Sequence, residues 1–326
     1  MQSNANYWLK EYHFDGLRMD AISRIIYWQG DEKRGVNGNA VDFIKVMNRE
    51  LKYLNPGCIL AAEDSTNYPN VTKIVDEGGL GFDYKWDMGW MHDTLEYFQS
   101  APKERTAKYH KLTFSMMYFG NENYLLPFSH DEVVHGKATI LQKMNGQYED
   151  KFPQAKAMYL YMMVHPGKKL NFMGNEIGQL REWDEKREQD WELRKYPTHD
   201  SFYQFMKELN HIYLTHPALS EWDYQVDGFR WLDCHQESRC IYAVIRQGKE
   251  EKLTAIFNFS DQVQENYEIE MKNTESIEIL LYSDWEQFGG STKACEEDIL
   301  LEDEKLSCAM APFSGILIKL IENEKM

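Results

Sequence analysis

Arg18 and Asp20 stand two positions apart in the run Phe14-Asp15-Gly16-Leu17-Arg18-Met19-Asp20-Ala21. The run reads as a short buried strand ending in an acid. Side chains alternate along a strand, so Gly16, Arg18 and Asp20 share a face. Charges on an apolar strand are costly unless they pair or do chemistry. The planar fork of donors on Arg18 can hold Asp20 ionised and oriented. A fixed carboxylate at the C-terminal end of a strand suits attack on a sugar carbon. A purely structural ion pair is the alternative that these residues leave open.

Two more apolar runs end in the same way. Cys58-Ile59-Leu60-Ala61-Ala62 leads into Glu63, and Asn123-Tyr124-Leu125-Leu126-Pro127-Phe128-Ser129 leads into His130-Asp131-Glu132. Retaining glycoside chemistry uses two carboxylates roughly 5–5.5 Å apart. In that chemistry Asp20 attacks the anomeric carbon, assisted by Arg18. Glu63 follows two alanines, so burial is expected to raise its pKa and let it start as an acid. Asp131 would stabilise positive charge and grip sugar hydroxyls, with His130 donating a hydrogen bond. Glu63 with Asp64-Ser65 also reads as a helix N-cap. His130 and His135 are a poor match to a metal pair, so neither a metal nor an organic cofactor is expected.

The elements that must position these residues follow a strand–helix rhythm. Helix-like residues 5–13 precede the Asp20 strand, with Leu9 and Tyr12 toward a core. A glycine-rich loop follows Ala21. Asn39 is placed to cap a helix through Leu54, with Val41, Ile44, Met47, Leu51 and Leu54 on one stripe, and Pro56-Gly57 ends it. The Glu63 strand comes next, then a short helix around Val71 and Ile74. Gly78-Gly79-Leu80-Gly81-Phe82-Asp83 follows no strand and reads as a turn into a third strand, not a phosphate loop. Helices are expected over 86–98, 152–164 and 201–213, and a fifth strand over 169–174. From Phe229 short alternating segments dominate, at 229–232, 240–246, 253–259, 267–271, 277–282 and 315–320. The fold class is therefore α/β: about the last five βα units of a partial (β/α) barrel over residues 1–224, then a small antiparallel all-β domain over 225–326. In such barrels, chemistry sits at the C-terminal strand ends.

The chain has 326 residues and a net charge of −17, which argues against nucleic acid and anionic membrane surfaces as partners. Tyr and Trp are abundant, and their flat faces suit sugar rings as well as cores. Cys58, Cys234, Cys240, Cys295 and Cys308 are odd in number and widely spread. They suggest neither a zinc site nor a disulfide framework, and a reduced, cytoplasmic setting is expected. No cleavable leader and no run of about 18 apolar residues occurs.

The three acid-bearing motifs resemble ordered motifs of the α-amylase superfamily. The stretches Gly78–Asp93, Ser129–Lys137 and His165–Gln179 resemble bacterial 1,4-α-glucan (glycogen) branching enzymes, and the likeness runs from about residue 5 to the end. It implies Asp20 as nucleophile, Glu63 as proton donor, Asp131 as transition-state stabiliser, and Arg18 and His130 as substrate-site residues. It implies transfer of an α-1,4-glucan chain to a 6-hydroxyl in glycogen biosynthesis. A hydrolase of the same superfamily and a glucan-binding fragment are the alternatives. The family's earlier barrel motif and its preceding β-sandwich module are not found in this sequence. The chain is thus expected to be N-terminally truncated, with α-1,4-glucan as its ligand and the missing N-terminal half as a possible separate partner.

Overall fold

In the computed structural model, which describes residues 1–293 and 299–322, five short strands carry the first part of the chain. They are β1 (Gly16–Met19), β2 (Ile59–Ala62), β3 (Tyr84–Trp86), β4 (Tyr124–Phe128) and β5 (Lys168–Asn171). They lie in one sheet in chain order, and β1 to β4 pair in parallel. The partial (β/α) barrel is thus present, with β1 at one end of the order. Gly16 permits the β1–β2 approach, because a Cβ there would lie 2.2 Å from the Ile59 carbonyl oxygen.

Two compact units form, one of residues 1–91 with 115–127, the other of 92–114 with 128 onward. In the first, the helix Gly38–Leu54 lays Val41, Ile44, Met47 and Leu51 on Leu60 and Ala62 of β2, together with Leu9, Ile22, Ile26 and Phe82. Burying a side chain such as Leu60 contributes about 1.5–3 kcal/mol. The expected stripe holds except at its end, since Leu54 is exposed. The cap is Asn37 rather than Asn39: its side chain accepts from the Ala40 amide. The expected loop after Ala21 contains a helical turn, Ser23–Ile26, and the expected helix near Val71 is replaced by a 3-10 turn at Val75–Glu77. There the Val71 and Thr72 amides donate to the Glu122 carboxylate instead of to a helix.

Beside β1, the helix Gln2–Glu11 buries Leu9 but leaves Tyr12 exposed, against expectation. Tyr7, Trp8, Tyr12 and Phe14 pack on each other, with Trp8 and Phe14 stacked at 5.7 Å, yet all four remain exposed.

The second unit holds the helices Tyr148–Val164 and Pro197–Thr215 and an all-β region. Its first sheet combines β6 (Phe229–Gln236), β7 (Ile241–Gln247), β8 (Lys252–Asn258), β10 (Thr274–Tyr282) and β13 (Ser314–Glu322). The second combines β9 (Gln264–Glu270), β11 (Ile299–Glu302) and β12 (Lys305–Met310). Alternate residues meet between them: Ile241, Ala243 and Ile245 of β7 share one core with Ile316, Ile318 and Leu320 of β13 and with Leu306, Cys308 and Met310 of β12. The sequence did not announce β11 and β12. Cys58, Cys234, Cys240 and Cys308 are free thiols, and Cys295 lies outside the described residues.

Buried cations tie the helices to the all-β region and its turns within this unit. The Arg246 guanidinium donates to the Gly228 and Val164 carbonyls at 3.0 and 2.7 Å and to Asp223 at 2.8 Å. Arg105 donates to the Phe259 and Phe98 carbonyls at 2.8 and 3.1 Å and to Gln154. Lys156 donates to the Phe288 carbonyl at 2.9 Å, and burial pushes its pKa down to about 8. Among the described residues, no helix is long and apolar enough to cross a membrane.

Burial pushes the Asp223 pKa up, but the charges of Lys169, Arg246 and Lys168 outweigh it and hold the carboxyl below its ordinary range. A depressed carboxylate stabilises the fold above its unfolded pKa, and that contribution is lost as pH falls through the folded value. Asp223→Asn should therefore cost about 3–5 kcal/mol near neutral pH. It should also flatten the acid-side loss of stability below about pH 4, read from urea midpoints against pH.

Candidate active site

β1 pairs with β2 so that Arg18 lies opposite Ala61 and Met19 opposite Ala62. Beyond the strands the backbone stays stitched: the Glu63 amide donates to the Met19 carbonyl at 2.9 Å, and the Ile22 amide donates to the Glu63 carbonyl at 3.0 Å. These bonds fix the two acid-bearing turns against each other. Asp20 itself lies in the turn after β1, and its side chain is 75% exposed, so it is not the buried strand residue expected. The Glu63 side chain is 18% exposed.

One nitrogen, Arg18 Nη1, donates to Asp20 Oδ1 at 2.9 Å and also to Glu63 Oε2. Two oxygens bound to one nitrogen can be no more than about 6 Å apart. That limit accommodates the roughly 5–5.5 Å typical of carboxylates in retaining glycoside chemistry. The guanidinium carbon sits 4.5 Å from the centroid of the Trp86 ring, so β3 holds the arginine on its third side.

Behind this trio is a buried pair that sequence reasoning missed. Lys85 Nζ lies 2.8 Å from Asp64 Oδ2, with both side chains almost fully buried. Asp64 also accepts from the Thr66 amide and hydroxyl at 3.1 and 2.9 Å, and Lys85 donates to the Thr66 carbonyl at 2.9 Å. Asp64 therefore braces the turn after Glu63, and no helix starts there to need an N-cap. The available signal was Lys85 itself, a cation inside the short aromatic strand Tyr84-Lys85-Trp86.

His130 and Asp131 belong to the second unit. They lie on a 3-10 turn, His130–Glu132, directly after β4. Ser129 and Glu132 cap it reciprocally: the Ser129 hydroxyl and amide donate to the Glu132 carboxylate at 2.7 and 2.9 Å, and the Asp131 amide donates to the Ser129 hydroxyl at 3.2 Å. His130 Nε2 is 3.5 Å from Asp131 Oδ1, and the imidazole lies against Phe172 with centroids 5.8 Å apart. The structure thus brings Arg18, Asp20 and Glu63 together in one unit and His130 with Asp131 in the other. Among the described residues, no group of three or more His, Cys, Asp or Glu side chains is arranged to hold a metal.

Comparison with known proteins adds to this picture. Residues 231–321 match the family "Alpha amylase, C-terminal all-beta domain". The chain is 39% identical over 332 aligned positions to the 1,4-alpha-glucan branching enzyme GlgB of Bacillus cereus (strain AH187), covering 99% of this chain and 52% of that protein. It is 42% identical over 291 positions to the 1,4-alpha-glucan branching enzyme GlgB of Bacillus mycoides (strain KBAB4), covering 89% of this chain and 45% of that one. The chain spans about half the length of the curated relatives it matches. Among solved structures it is similar to an alpha-amylase from H.orenii, with a TM-score of 0.66 at 15% identity, covering 98% of this chain and 63% of that one. It is also similar to a debranching enzyme of Nostoc punctiforme, with a TM-score of 0.67 at 15% identity, covering 97% and 60%. Both support the fold.

Arg18→Leu removes the donor shared by Asp20 and Glu63 and the cation over Trp86. Loss of a partly buried, charge-assisted bond predicts about 2 kcal/mol of destabilisation in urea unfolding.

Proposed function

We propose, from the kinship of this chain with the 1,4-α-glucan branching enzymes of the α-amylase superfamily, that it carries the catalytic acids of a glucan branching transferase. Asp20 attacks the anomeric carbon of an α-1,4-linked glucosyl unit, while Glu63 gives a proton to the departing 4-oxygen. The glycosidic bond breaks as an ester bond to Asp20 forms. Glu63, now a carboxylate, then takes the proton from the 6-hydroxyl of an acceptor chain. That oxygen displaces Asp20, leaving an α-1,6 branch with retained configuration. Asp131 stabilises the positive charge that develops at the anomeric carbon, and His130 and Arg18 bind the same sugar. Transfer rather than hydrolysis follows when the acceptor is bound and water is excluded.

The observation that carries this reading is the single guanidinium nitrogen bonded to both Asp20 and Glu63. The free thiols are consistent with a reducing, cytoplasmic setting. We further propose residues 1–224 as barrel and 225–326 as all-β domain, with α-1,4-glucan as the ligand. The N-terminal half of such an enzyme would be a partner for the β1 end of the sheet, where the exposed cluster of Tyr7, Trp8, Tyr12 and Phe14 offers it an apolar face.

The test is an amylose assay with the chain alone and with the N-terminal half of a relative added. Loss of iodine colour without new reducing ends marks branching. Colour loss with rising reducing ends marks a hydrolase, and glycogen binding without turnover in either mixture marks a binding fragment. Asp20→Asn and Glu63→Gln should each lower the branching rate by about 10³-fold or more while leaving glycogen binding intact, as expected for an essential nucleophile and acid.

A further inference from the structure

The segment after Asp131 folds into an unusual loop. His135, Gly136 and Ala138 have φ of 59°, 80° and 65°, all in the left-handed region. For His135 and Ala138 that conformation persists only where the surroundings impose it. Two opposite charges do so. The Glu182 carboxylate accepts from the Gly136 amide at 2.9 Å and from the Ala138 amide at 2.7 Å. The Lys143 ammonium donates to the Glu132 and Ala138 carbonyls at 2.6 Å each, and also to the Lys137 carbonyl. Its three N–H donors thus meet three loop carbonyls. Ala138 is gripped at both its amide and its carbonyl.

The grip reaches back to the site residues. Lys137 Nζ donates to the Asp131 carbonyl at 2.7 Å, so the loop closes on the turn that carries Asp131. The Trp183 amide donates to the Val133 carbonyl at 3.0 Å, which ties the Glu182 segment to the start of the loop. A cleft of about 440 Å³ opens over this arrangement, lined by His130, Val134, His135, Arg181 and Trp183 among others. The two loop amides hold the Glu182 pKa below its ordinary range, as expected for an anion that collects backbone donors.

We propose that Glu182 and Lys143 are positioning residues, a carboxylate on the amides and an ammonium on the carbonyls of one left-handed loop, which together aim His130 and Asp131 at bound glucan. This rests on the reading of His130 and Asp131 as glucan-site residues. Neither Glu182 nor Lys143 touches the reacting atoms; each acts through the backbone of residues 132–138.

The test compares Glu182→Gln, Glu182→Asp and Lys143→Met in the full chain, with the exposed Glu188→Gln as a control. Three signals are read: hydrogen exchange at the Gly136 and Ala138 amides, the NMR signals and titration of the His130 ring, and affinity for maltoheptaose. Glu182→Gln turns one of the two acceptor oxygens into a donor, so at least one of the Gly136 and Ala138 amides should exchange about tenfold faster or more. The His130 signals should shift, and maltoheptaose affinity should fall about fivefold or more, the loss expected when binding residues are no longer held in place. Lys143→Met should act in the same direction. Glu182→Asp keeps the charge and should recover part of all three signals, while the control should match the parent chain. Unchanged amide exchange in both Glu182→Gln and Lys143→Met would overturn the proposal. So would faster exchange with His130 signals and maltoheptaose affinity left as in the parent. A parent chain that binds no maltoheptaose counts against the glucan reading instead, and the amide and ring signals then decide the positioning role.

Discussion

Two carboxylates near enough to act on one sugar ring repel each other. At about 5 Å and an effective dielectric near 20, the repulsion is on the order of 3 kcal/mol. While both are ionised, a positive charge between them offsets that repulsion, and Arg18 supplies it through one nitrogen; with Glu63 protonated, as the proposed transfer requires, the guanidinium has Asp20 alone to neutralise. Three features of the first unit hold that guanidinium and the acids it joins. Its stem leaves β1, its face lies on Trp86 of β3, and the backbone bonds between Met19, Ile22 and Glu63 prevent the two turns from drifting apart. Gly16 matters at one remove, since only a bare α-carbon lets β1 come close enough to β2.

Each candidate residue beyond a strand end is held by a neighbour rather than by the strand. Asp64 and Lys85 brace the turn after Glu63, and Ser129 and Glu132 cap the turn that carries His130 and Asp131. A turn braced by a buried charge pair has few alternative conformations, because breaking the pair strands a charge away from water. This is how short strands, some of only three or four residues, present side chains with a defined direction.

β2 and β4 were legible as apolar runs that end at an acid-bearing turn, whereas β1, β3 and β5 carry Arg18, Lys85, and Lys168 with Lys169, and were legible from their place in the strand–helix rhythm. The three acid-bearing ends were legible because each follows one of these strands. The hairpin of β11 and β12 was not. Its turn residues Asp303 and Glu304 both have positive φ, yet neither is the Gly or Asn that usually marks such a turn, so the pattern had no visible punctuation. Asn37 and Asn39 are equal candidates for a cap by type, and only the bond to Ala40 separates them. The partners of the site residues were beyond reach for a different reason. Arg18 and Trp86, Asp64 and Lys85, and Glu182 and Gly136 meet only once the chain is folded, and local pattern holds no record of such meetings.

The buried arginines of the second unit bear on how such proteins diversify. Arg246 leaves a strand of the all-β region to satisfy the end of the helix Tyr148–Val164, and Arg105 leaves a short helix to satisfy the carbonyl of Phe259. Recombination that exchanged the sheets for those of a cousin, without the helices they serve, would leave backbone oxygens facing no donor. The heritable module is therefore larger than the sheets suggest, and crossovers that respect it should fall upstream of the helices rather than at the first β-residue.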